Sequence, residues 1–290
     1  MSTANDDRPG LAGLVGKTTF HDTRQTRQMG TVYLIGAGPG AVDLITVRGA
    51  RLLEKADVVL HDALVEPAML DYASPHTQRI AVGKRCGQHS MAQYLINEQI
   101  VAAARRYAVV VRLKGGDPML FGRTDEEMRA LEAAGIEYEV VPGITAALAG
   151  AAPLRCSLTL RGVSRSVALV THSRAADTDA ICEQANANSL VFYMARDDAQ
   201  PIARQLIDAG RLGTTPVAIV EACSTSDERR LSLTLSRLAQ GEAQTWLDRS
   251  KPSLLMIGRA FAGRFERDAD SNTVSNQKER EEIVTAATNH

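Results

Sequence analysis

Short apolar, β-branched runs alternate with amphipathic stretches from about residue 31 onward. Runs of the first kind are typical of strands, and apolar positions three and four residues apart are typical of helices. The pattern predicts strands at 32–35, 58–61, 79–82, 109–113 and 137–141, and helices at 48–56, 66–72, 91–106 and 124–134. Strands that alternate with helices indicate a mainly parallel sheet covered on both faces.

A second series of the same kind begins near residue 166. It predicts strands at 167–171, 190–194, 217–221, 231–235 and 254–257, and a helix at 199–209. The apolar, alanine-rich segment 144–152 joins the two series. The chain is therefore predicted to be α/β, with two α/β domains, each containing a mixed, mainly parallel sheet flanked by helices.

The predicted boundaries follow from these two series. They are a mobile polar arm at 1–29, an N-terminal α/β domain at 30–143, a linker with the C-terminal α/β domain at 144–265, and a polar tail at 266–290. Within the first domain, Thr124 and Glu127 have the spacing of a capping box, and Gly135 is predicted to end that helix in the left-handed conformation.

Composition excludes several classes of function. The 290 residues include 33 Lys and Arg against 34 Asp and Glu, so the net charge of −1 favours neither nucleic acid nor an anionic membrane as a partner. No apolar run approaches the roughly 20 residues of a membrane span, and the first ten residues do not resemble a signal peptide, which predicts a cytoplasmic protein. Four scattered cysteines predict neither a metal site nor a disulfide framework.

The first predicted strand ends in a glycine-rich loop. Residues 36–41 fit the pattern Gly-x-Gly-x-x-Ala, and Asp62 follows about 20 residues later, as in dinucleotide-binding folds. A nicotinamide- or flavin-dependent oxidoreductase is therefore one interpretation of this loop. Pro39 argues against it, because proline has no N–H group and a pyrophosphate cradle needs consecutive backbone donors.

Two further motifs follow strands directly. Residues 114–118 read Lys-Gly-Gly-Asp-Pro, where the glycines permit close approach of a ligand and Asp117 can accept hydrogen bonds from it. Residues 140–146 read Val-Val-Pro-Gly-Ile-Thr-Ala, where Thr145 can cap the next helix, contact a ligand, or do both. Both motifs lie at predicted carboxyl ends of strands, where open α/β sheets bind ligands.

These motifs resemble those of the tetrapyrrole methylases. The resemblance covers about residues 30–260 and is carried by residues 36–40, 82–85, 111–118, 141–145, 190–194 and 216–221. The match at 114–118 is specific to this family. Residues 82–85 and the Gln93-x-x-Ile-Asn97 pattern are similar to the uroporphyrinogen-III C-methyltransferase branch.

The resemblance implies a homodimer of two-domain subunits of the tetrapyrrole methylase type. It implies S-adenosyl-L-methionine as methyl donor, bound in a cleft between the domains, and uroporphyrinogen III as the substrate that is methylated towards precorrin-2. Asp62 resembles the proton acceptor and Lys84 the proton donor. The implied cofactor contacts are Pro39, Gly115, Gly116, Asp117, Leu120, Thr145, Ala146, Met194 and Cys223.

Elementary chemistry supports these roles. When a pyrrole carbon attacks a methyl group, the ring becomes cationic and must lose a proton, and Asp62 can stabilise that cation or accept the proton. The substrate carries carboxylate arms, for which basic side chains are natural partners. The candidates for substrate binding are Arg85, Arg112 and Arg161, together with Lys84.

Some positions depart from the family pattern. Ala41, Ala63, Ala195 and Cys223 replace residues that the family usually has, and residues 153–161 read Pro-Leu-Arg-Cys-Ser-Leu-Thr-Leu-Arg instead of Tyr-x-Gly-Ile-Pro-Leu-Thr-His-Arg. The alternatives left open are a methylase of the same fold with another tetrapyrrole substrate or reduced activity, a dinucleotide-dependent oxidoreductase, and a non-catalytic binding module.

Overall fold

The structure is a computed structural model that describes residues 29–82, 93–172 and 186–262. Its first sheet consists of strands β1 (Thr31–Gly36), β2 (Val58–His61), β3 (Gln78–Ala81), β4 (Val109–Lys114) and β5 (Tyr138–Val141). The strand order is β3-β2-β4-β1-β5, and each of these pairings is parallel. The carboxyl ends of all five strands therefore meet at one edge of the sheet.

Helices cover both faces of this sheet. They are α1 (Val47–Glu54), α2 (Gln93–Ala104) and α3 (Thr124–Ala133), with 3-10 turns at Val42–Leu44 and Pro67–Tyr72. Successive strand residues point to opposite faces. One face packs against α2 and α3 through residues that include Val32, Leu34, Leu60 and Val110. The other packs against α1 and Pro67–Tyr72 through residues that include Ile35, Val59, Val111 and Leu113.

The beginning of α3 differs from the prediction. Arg123, in the left-handed region at φ 54°, precedes the helix, and no side chain caps it. The hydroxyl of Thr124 donates to the carbonyl of Pro118, and Glu127 is buried in ion pairs with Arg112 and Lys114. The predicted capping box is therefore wrong, because tertiary partners take both side chains. The left-handed Gly135 after the helix, at φ 66°, is confirmed.

The second sheet is mixed. It consists of β6 (Val167–Thr171), β7 (Ser189–Tyr193), β8 (Pro216–Glu221), β9 (Arg229–Thr234) and β10 (Ser253–Gly258), in the order β6-β7-β10-β8-β9. The β6–β7 pairing is parallel and the other three are antiparallel. The prediction of a mainly parallel sheet is correct for the first sheet and wrong for this one. The seven residues 222–228 that join β8 to β9 are too few for a parallel crossover.

Within the described residues, three helices pack on the second sheet. They are α4 (Ala146–Ala151), α5 (Ala199–Asp208) and α6 (Leu235–Ala239), with 3-10 turns at Arg196–Asp198 and Arg259–Phe261. α4 packs on one face, where Ala147 and Ala151 belong to the same core as Val191 and Val220. α5 and α6 pack on the other face. The chain thus enters its second half through α4.

The remaining predicted segments have different outcomes. The domain boundaries stay a prediction, and the polar tail and the arm apart from Met29 lie outside the described residues. Within the described ranges, no helix combines the length and apolar character that crossing a bilayer requires. No cluster of three or more potential metal-binding His, Cys, Asp or Glu side chains occurs in those ranges either.

Candidate active site

Three glycines meet where β1, β4 and β5 end. A Cβ atom on Gly36 would lie 2.6 Å from the Cα of Gly143 and 2.7 Å from the carbonyl oxygen of Gly116. Real Cβ atoms do not approach backbone this closely, so no larger residue fits at Gly36 without moving the chain. The three strand exits are therefore packed backbone against backbone.

Two of these exits are also joined by hydrogen bonds. Gly38 N–H donates to the carbonyl of Gly116 at 3.1 Å, and Gly116 N–H donates to the carbonyl of Gly38 at 2.7 Å. Both glycines have positive φ, at 80° and 69°. The loop after β1 also reaches the second half of the chain, because Ala41 N–H donates to the hydroxyl of Ser224 at 3.0 Å.

A cleft of about 410 Å³ lies between the two sheets, within the usual range for small-molecule sites. Its first wall consists of residues 38–39, 62, 64, 114–117 and 120–122. Its second wall consists of residues 193–194, 196–197, 220 and 251–254, and Thr145 and Ala146 complete the lining. The cleft is thus built from the carboxyl-terminal edge of the first sheet and from strand ends and loops of the second half.

Most of the positions implied as cofactor contacts line this cleft. They are Pro39, Gly115, Gly116, Asp117, Leu120, Thr145, Ala146 and Met194. Cys223 does not belong to the lining. Its Sγ atom lies 4.0 Å from the carbonyl oxygen of Ala146, and burial raises the pKa of this thiol to about 12. Cys223 therefore packs against α4 as a protonated thiol, and its contact with the cofactor stays a prediction.

Asp117 connects two strand exits. Its Oδ2 accepts a hydrogen bond from Gly143 N–H at 2.9 Å, and its Oδ1 accepts one from Met119 N–H at 2.8 Å. One carboxylate thus fixes the turn after β4 and holds it against the turn after β5. Hydrogen bonds to a charged group are about twice as strong as neutral ones, so Asp117 maintains the shape of the first wall.

Tyr193 performs a similar role at the second wall. Its hydroxyl oxygen lies 2.6 Å from the hydroxyl of Thr145 and accepts a hydrogen bond from Ala147 N–H at 3.0 Å. Burial is the main cause that raises the pKa of Tyr193, so the hydroxyl remains protonated. Its ring packs against Phe121 with 5.1 Å between centroids, which joins the two walls across the cleft.

Two lining residues have strained backbone conformations. Phe121 and Met194 have φ of 54° and 55°, in the left-handed region that non-glycine residues rarely adopt. The Met194 residue is also 67% exposed, although it is large and apolar. Strain and exposed apolar surface are each common at binding sites, and here they occur together at the cleft.

Asp62 enters the cleft from the end of β2. Its side chain is 30% exposed, and its Oδ1 lies 2.5 Å from Nη2 of Arg112. The Arg112 guanidinium continues to Glu127, with Nε 3.0 Å from Oε1, and Nζ of Lys114 lies 2.9 Å from Oε2 of the same glutamate. Glu127 was not identified from the sequence as a residue of the site. Burial, followed by the charge of Arg112, lowers the pKa of Lys114, while Glu127 and Asp62 raise it.

Two of the predicted substrate contacts, Arg112 and Arg161, are absent from the described lining of the cleft. Arg112 is 2% exposed, its guanidinium is bound to protein acceptors, and it is absent from the described cleft lining. We therefore interpret Arg112 as a partner of Asp62 and not of a substrate arm. Arg161 is exposed in the turn between Leu160 and Ser164, also away from that lining. Lys84 and Arg85 lie outside the described residues.

The chain belongs to the tetrapyrrole methylases. The profile of the family described as "Tetrapyrrole (Corrin/Porphyrin) Methylases" matches residues 31–239. Siroheme synthase 1 of Yersinia enterocolitica is 44% identical over 237 residues, which cover 81% of this chain and 49% of that protein. Siroheme synthase of Stutzerimonas stutzeri is 44% identical over 235 residues, or 80% and 50% of the two chains. The chain spans about half the length of these curated relatives.

Solved structures show the same fold. Uroporphyrin-III C-methyltransferase of Thermus thermophilus superposes with a TM-score of 0.69 at 36% identity, covering 80% of this chain and 98% of that one. A structure of the enzyme of that name from the same organism, complexed with S-adenosylhomocysteine, gives a TM-score of 0.69 at 35% identity and covers 80% and 94%.

Proposed function

We propose that this chain is an S-adenosyl-L-methionine-dependent C-methyltransferase that methylates uroporphyrinogen III towards precorrin-2. One observation carries the proposal: eight positions implied as cofactor contacts converge on one cleft beside the candidate proton acceptor Asp62. The relative from Thermus thermophilus, named for this activity and solved with S-adenosylhomocysteine, supports the choice of substrate and cofactor.

The residues of the cleft fit this cofactor. A Cβ atom on Gly116 would have no heavy atom within 4 Å, so its backbone borders open space where polar groups of a ligand can approach. The apolar side chains of Leu120, Met194 and Leu254 can bury an aromatic base, and the carboxylate of Asp62 suits a cationic ligand. When bound, S-adenosyl-L-methionine supplies an electrophilic methyl carbon on a positively charged sulfur.

The protein's own contribution is to position the two reactants and to remove a proton. The two walls would hold the methyl donor beside the pyrrole carbon, and such positioning lowers the entropic barrier of a bimolecular step. After attack the methylated carbon, which already carries an acidic side arm, is quaternary, and the cationic ring becomes neutral by losing a proton from its nitrogen or from the neighbouring bridging carbon. The Asp62 carboxylate, with Arg112 on Oδ1, can stabilise this cation or accept that proton.

The same geometry argues against a dinucleotide-dependent oxidoreductase. Of the donors in the loop after β1, Gly38 N–H is bonded to Gly116, Ala41 N–H is bonded to Ser224, and Pro39 has none. Residues Val42–Leu44 form a 3-10 turn, and not the opening of an α-helix at which a pyrophosphate usually binds. Three positions of the loop, Gly38, Pro39 and Ala41, thus offer no free N–H group to a pyrophosphate.

A methylase with a different tetrapyrrole substrate is the second candidate. The residues that depart most from the family pattern, 153–161, border a separate groove of about 670 Å³ beside α4, and Thr145 is the described residue that this groove and the cleft share. The departures at 153–161 therefore lie outside the described lining of the cleft, and they are expected to affect substrate recognition or subunit assembly.

Incubation of the protein with S-adenosyl-L-methionine and uroporphyrinogen III tests the proposal. We expect a product heavier by one CH2 unit for each transfer, a methyl group less the proton that is lost, and, after oxidation, the absorbance of an oxidised precorrin-2. Binding of S-adenosylhomocysteine without any product would favour the second candidate. Binding of NAD but not of S-adenosylhomocysteine would contradict membership of this enzyme class.

Asp117→Ala is expected to weaken cofactor binding. The substitution removes two charge-assisted hydrogen bonds that shape the first wall. A loss of about 1.5–3 kcal/mol corresponds to a roughly 10- to 100-fold higher Kd for S-adenosylhomocysteine by calorimetric titration. Asp125→Ala, at an exposed carboxylate on α3, is the control. Unchanged affinity in Asp117→Ala would remove this residue from the site.

The homodimer and the cytoplasmic location are further proposals, supported by the family resemblance. Sedimentation velocity of the purified protein tests the first, and a monomer at micromolar concentration would contradict it.

A further inference from the structure

Four charged side chains form a continuous chain from helix α3 to the cleft. Glu127 contacts Lys114 through Oε2 and Arg112 through Oε1, and Arg112 contacts Asp62. The side chain of Glu127 is fully buried, those of Arg112 and Lys114 are 2% and 3% exposed, and that of Asp62 is 30% exposed. The chain therefore begins in the core and ends at the cleft.

Strand alternation explains how the chain is assembled. Arg112 and Lys114 are two residues apart on β4, so they project from the same face of the sheet as Val110, towards α2 and α3. Glu127 lies on the buried side of α3 with Thr124 and Leu131, at positions where an amphipathic helix usually carries apolar residues. Three charges thus replace apolar contacts in this layer.

Stability is a weak reason for such an arrangement. Apolar residues of similar volume are often as stabilising as a buried ion pair, or more so, because burial removes charges from water. The formal charges of the two acidic and two basic groups sum to zero. Loss of the charge on Glu127 would leave the cluster with a net positive charge. Without that charge, Arg112 and Lys114 would repel each other.

The contacts of Arg112 leave it little freedom. Its Nε donates to Glu127 at 3.0 Å, its Nη1 donates to the carbonyl of Leu113 at 3.1 Å, and its Nη2 donates to Asp62 at 2.5 Å. Glu127 is also 3.4 Å from Nε2 of Gln93 on α2. The glutamate is therefore the point at which α2, α3 and β4 together fix the guanidinium.

We propose that Glu127 is a positioning residue that fixes Arg112 and, through it, holds the Asp62 carboxylate in the orientation that catalysis in the cleft requires. This inference rests on the proposed function, because it assigns Glu127 a role in the methyl-transfer reaction. Glu127 itself does not belong to the described cleft lining, so it acts through its neighbours.

Glu127→Gln, with Glu132→Gln as its matched control, tests the proposal. Glu132 lies on the same helix, is exposed and accepts a hydrogen bond from Tyr138, which a glutamine oxygen can also accept. Residues that orient a catalytic group typically contribute about 10- to 100-fold, so we expect that loss in kcat for Glu127→Gln, with KM and the Kd of S-adenosylhomocysteine within about threefold. An unchanged kcat, or a Kd raised as much as kcat falls, would overturn the proposal.

A double-mutant cycle separates this role from a general effect on structure. If Glu127 acts through Asp62, Glu127→Gln should reduce kcat very little in an Asp62→Asn background, because coupled residues are not additive. An equal loss in both backgrounds contradicts the proposal. If Glu127→Gln alone does not fold, the double variant Lys114→Met/Glu127→Gln also removes the buried lysine that has lost its anionic partner. The same cycle with Asp62→Asn is then run with this double variant.

Crystal structures of these variants test the position of the Asp62 carboxylate without a measurement of turnover. We expect the Asp62 carboxylate to lose its Arg112 contact or to adopt a second orientation in Glu127→Gln, and to remain in place in Glu132→Gln. An unmoved Asp62–Arg112 pair overturns the inference. Failure of the wild-type protein to methylate uroporphyrinogen III contradicts the proposed function alone, since the position of the carboxylate is still measured.

Discussion

Asp62→Ala is expected to methylate its substrate about 10²- to 10⁴-fold more slowly than the wild type, the usual contribution of a positioned acid or base. The carboxylate is 30% exposed in the cleft, where a pyrrole ring that becomes cationic can reach it. Cofactor binding depends on the glycine-lined exits and on Asp117, so the Kd of S-adenosylhomocysteine should stay close to that of the wild type. Single-turnover kinetics and calorimetric titration measure the two effects.

The fold should survive this change. Arg112 keeps its ion pair with Glu127 and its bond to the carbonyl of Leu113, so no buried cation is left without a partner. Asp43→Ala, at an exposed aspartate of the same half, is the control and should turn over normally. Normal turnover of Asp62→Ala would show that the catalytic assignment is wrong.

Gly36→Ala is expected to lower the free energy of unfolding by about 3 kcal/mol, the upper part of the usual range for overpacking. The added methyl group would meet the Cα and N of Gly143 and the carbonyl oxygen of Gly116, all within 2.7 Å. These are backbone atoms of the two strand exits that flank β1, and they cannot rotate away as a side chain can. Binding of S-adenosylhomocysteine should weaken as well, because β1 and β4 would be forced apart beside the cleft.

Gly135→Ala separates crowding from backbone strain. Gly135 has φ 66°, and its nearest atom for an added methyl group is the flexible end of Met29 at 3.9 Å. We therefore expect the free energy of unfolding to fall by only about 1 kcal/mol, the cost of the left-handed conformation for a residue with a Cβ atom. Ligand binding should be normal. Urea denaturation of both variants makes the comparison. Equal losses in the two variants would contradict the close packing of the three exits.

The first wall of the cleft was predictable because its signals are local. A β-branched run followed by two glycines marks the end of a strand, and the parallel alternation of strands with helices brings such ends to one edge. Residues 36–40, 114–118 and 141–145 could be identified in this way, and the structure brings them together. Tyr193, which closes the second wall on Thr145, had no such signal because the two residues are 48 positions apart.

The role of Glu127 could not be predicted correctly from its distance in sequence to Thr124. Its position three residues after Thr124 fits a capping box, and a local pattern cannot show which residues will pack nearby. One signal was present, however. Arg112 and Lys114 alternate with apolar residues on a strand buried on both faces, so a buried acidic partner was required somewhere in the chain.

Strand direction in the second sheet was also beyond the sequence pattern. An apolar run has the same appearance in a parallel and in an antiparallel pairing, because side-chain alternation does not depend on direction. The seven-residue connection after β8 was the available indication of antiparallel pairing.

A crystal structure with bound S-adenosylhomocysteine tests the central claim most directly. We expect the ligand between the two sheets, in contact with the backbone at Gly115 and Gly116 and with Thr145 and Met194. Its sulfur should lie on the side of the cleft that Asp62 lines. A ligand bound elsewhere, or a cleft that stays empty at saturating concentration, would contradict it.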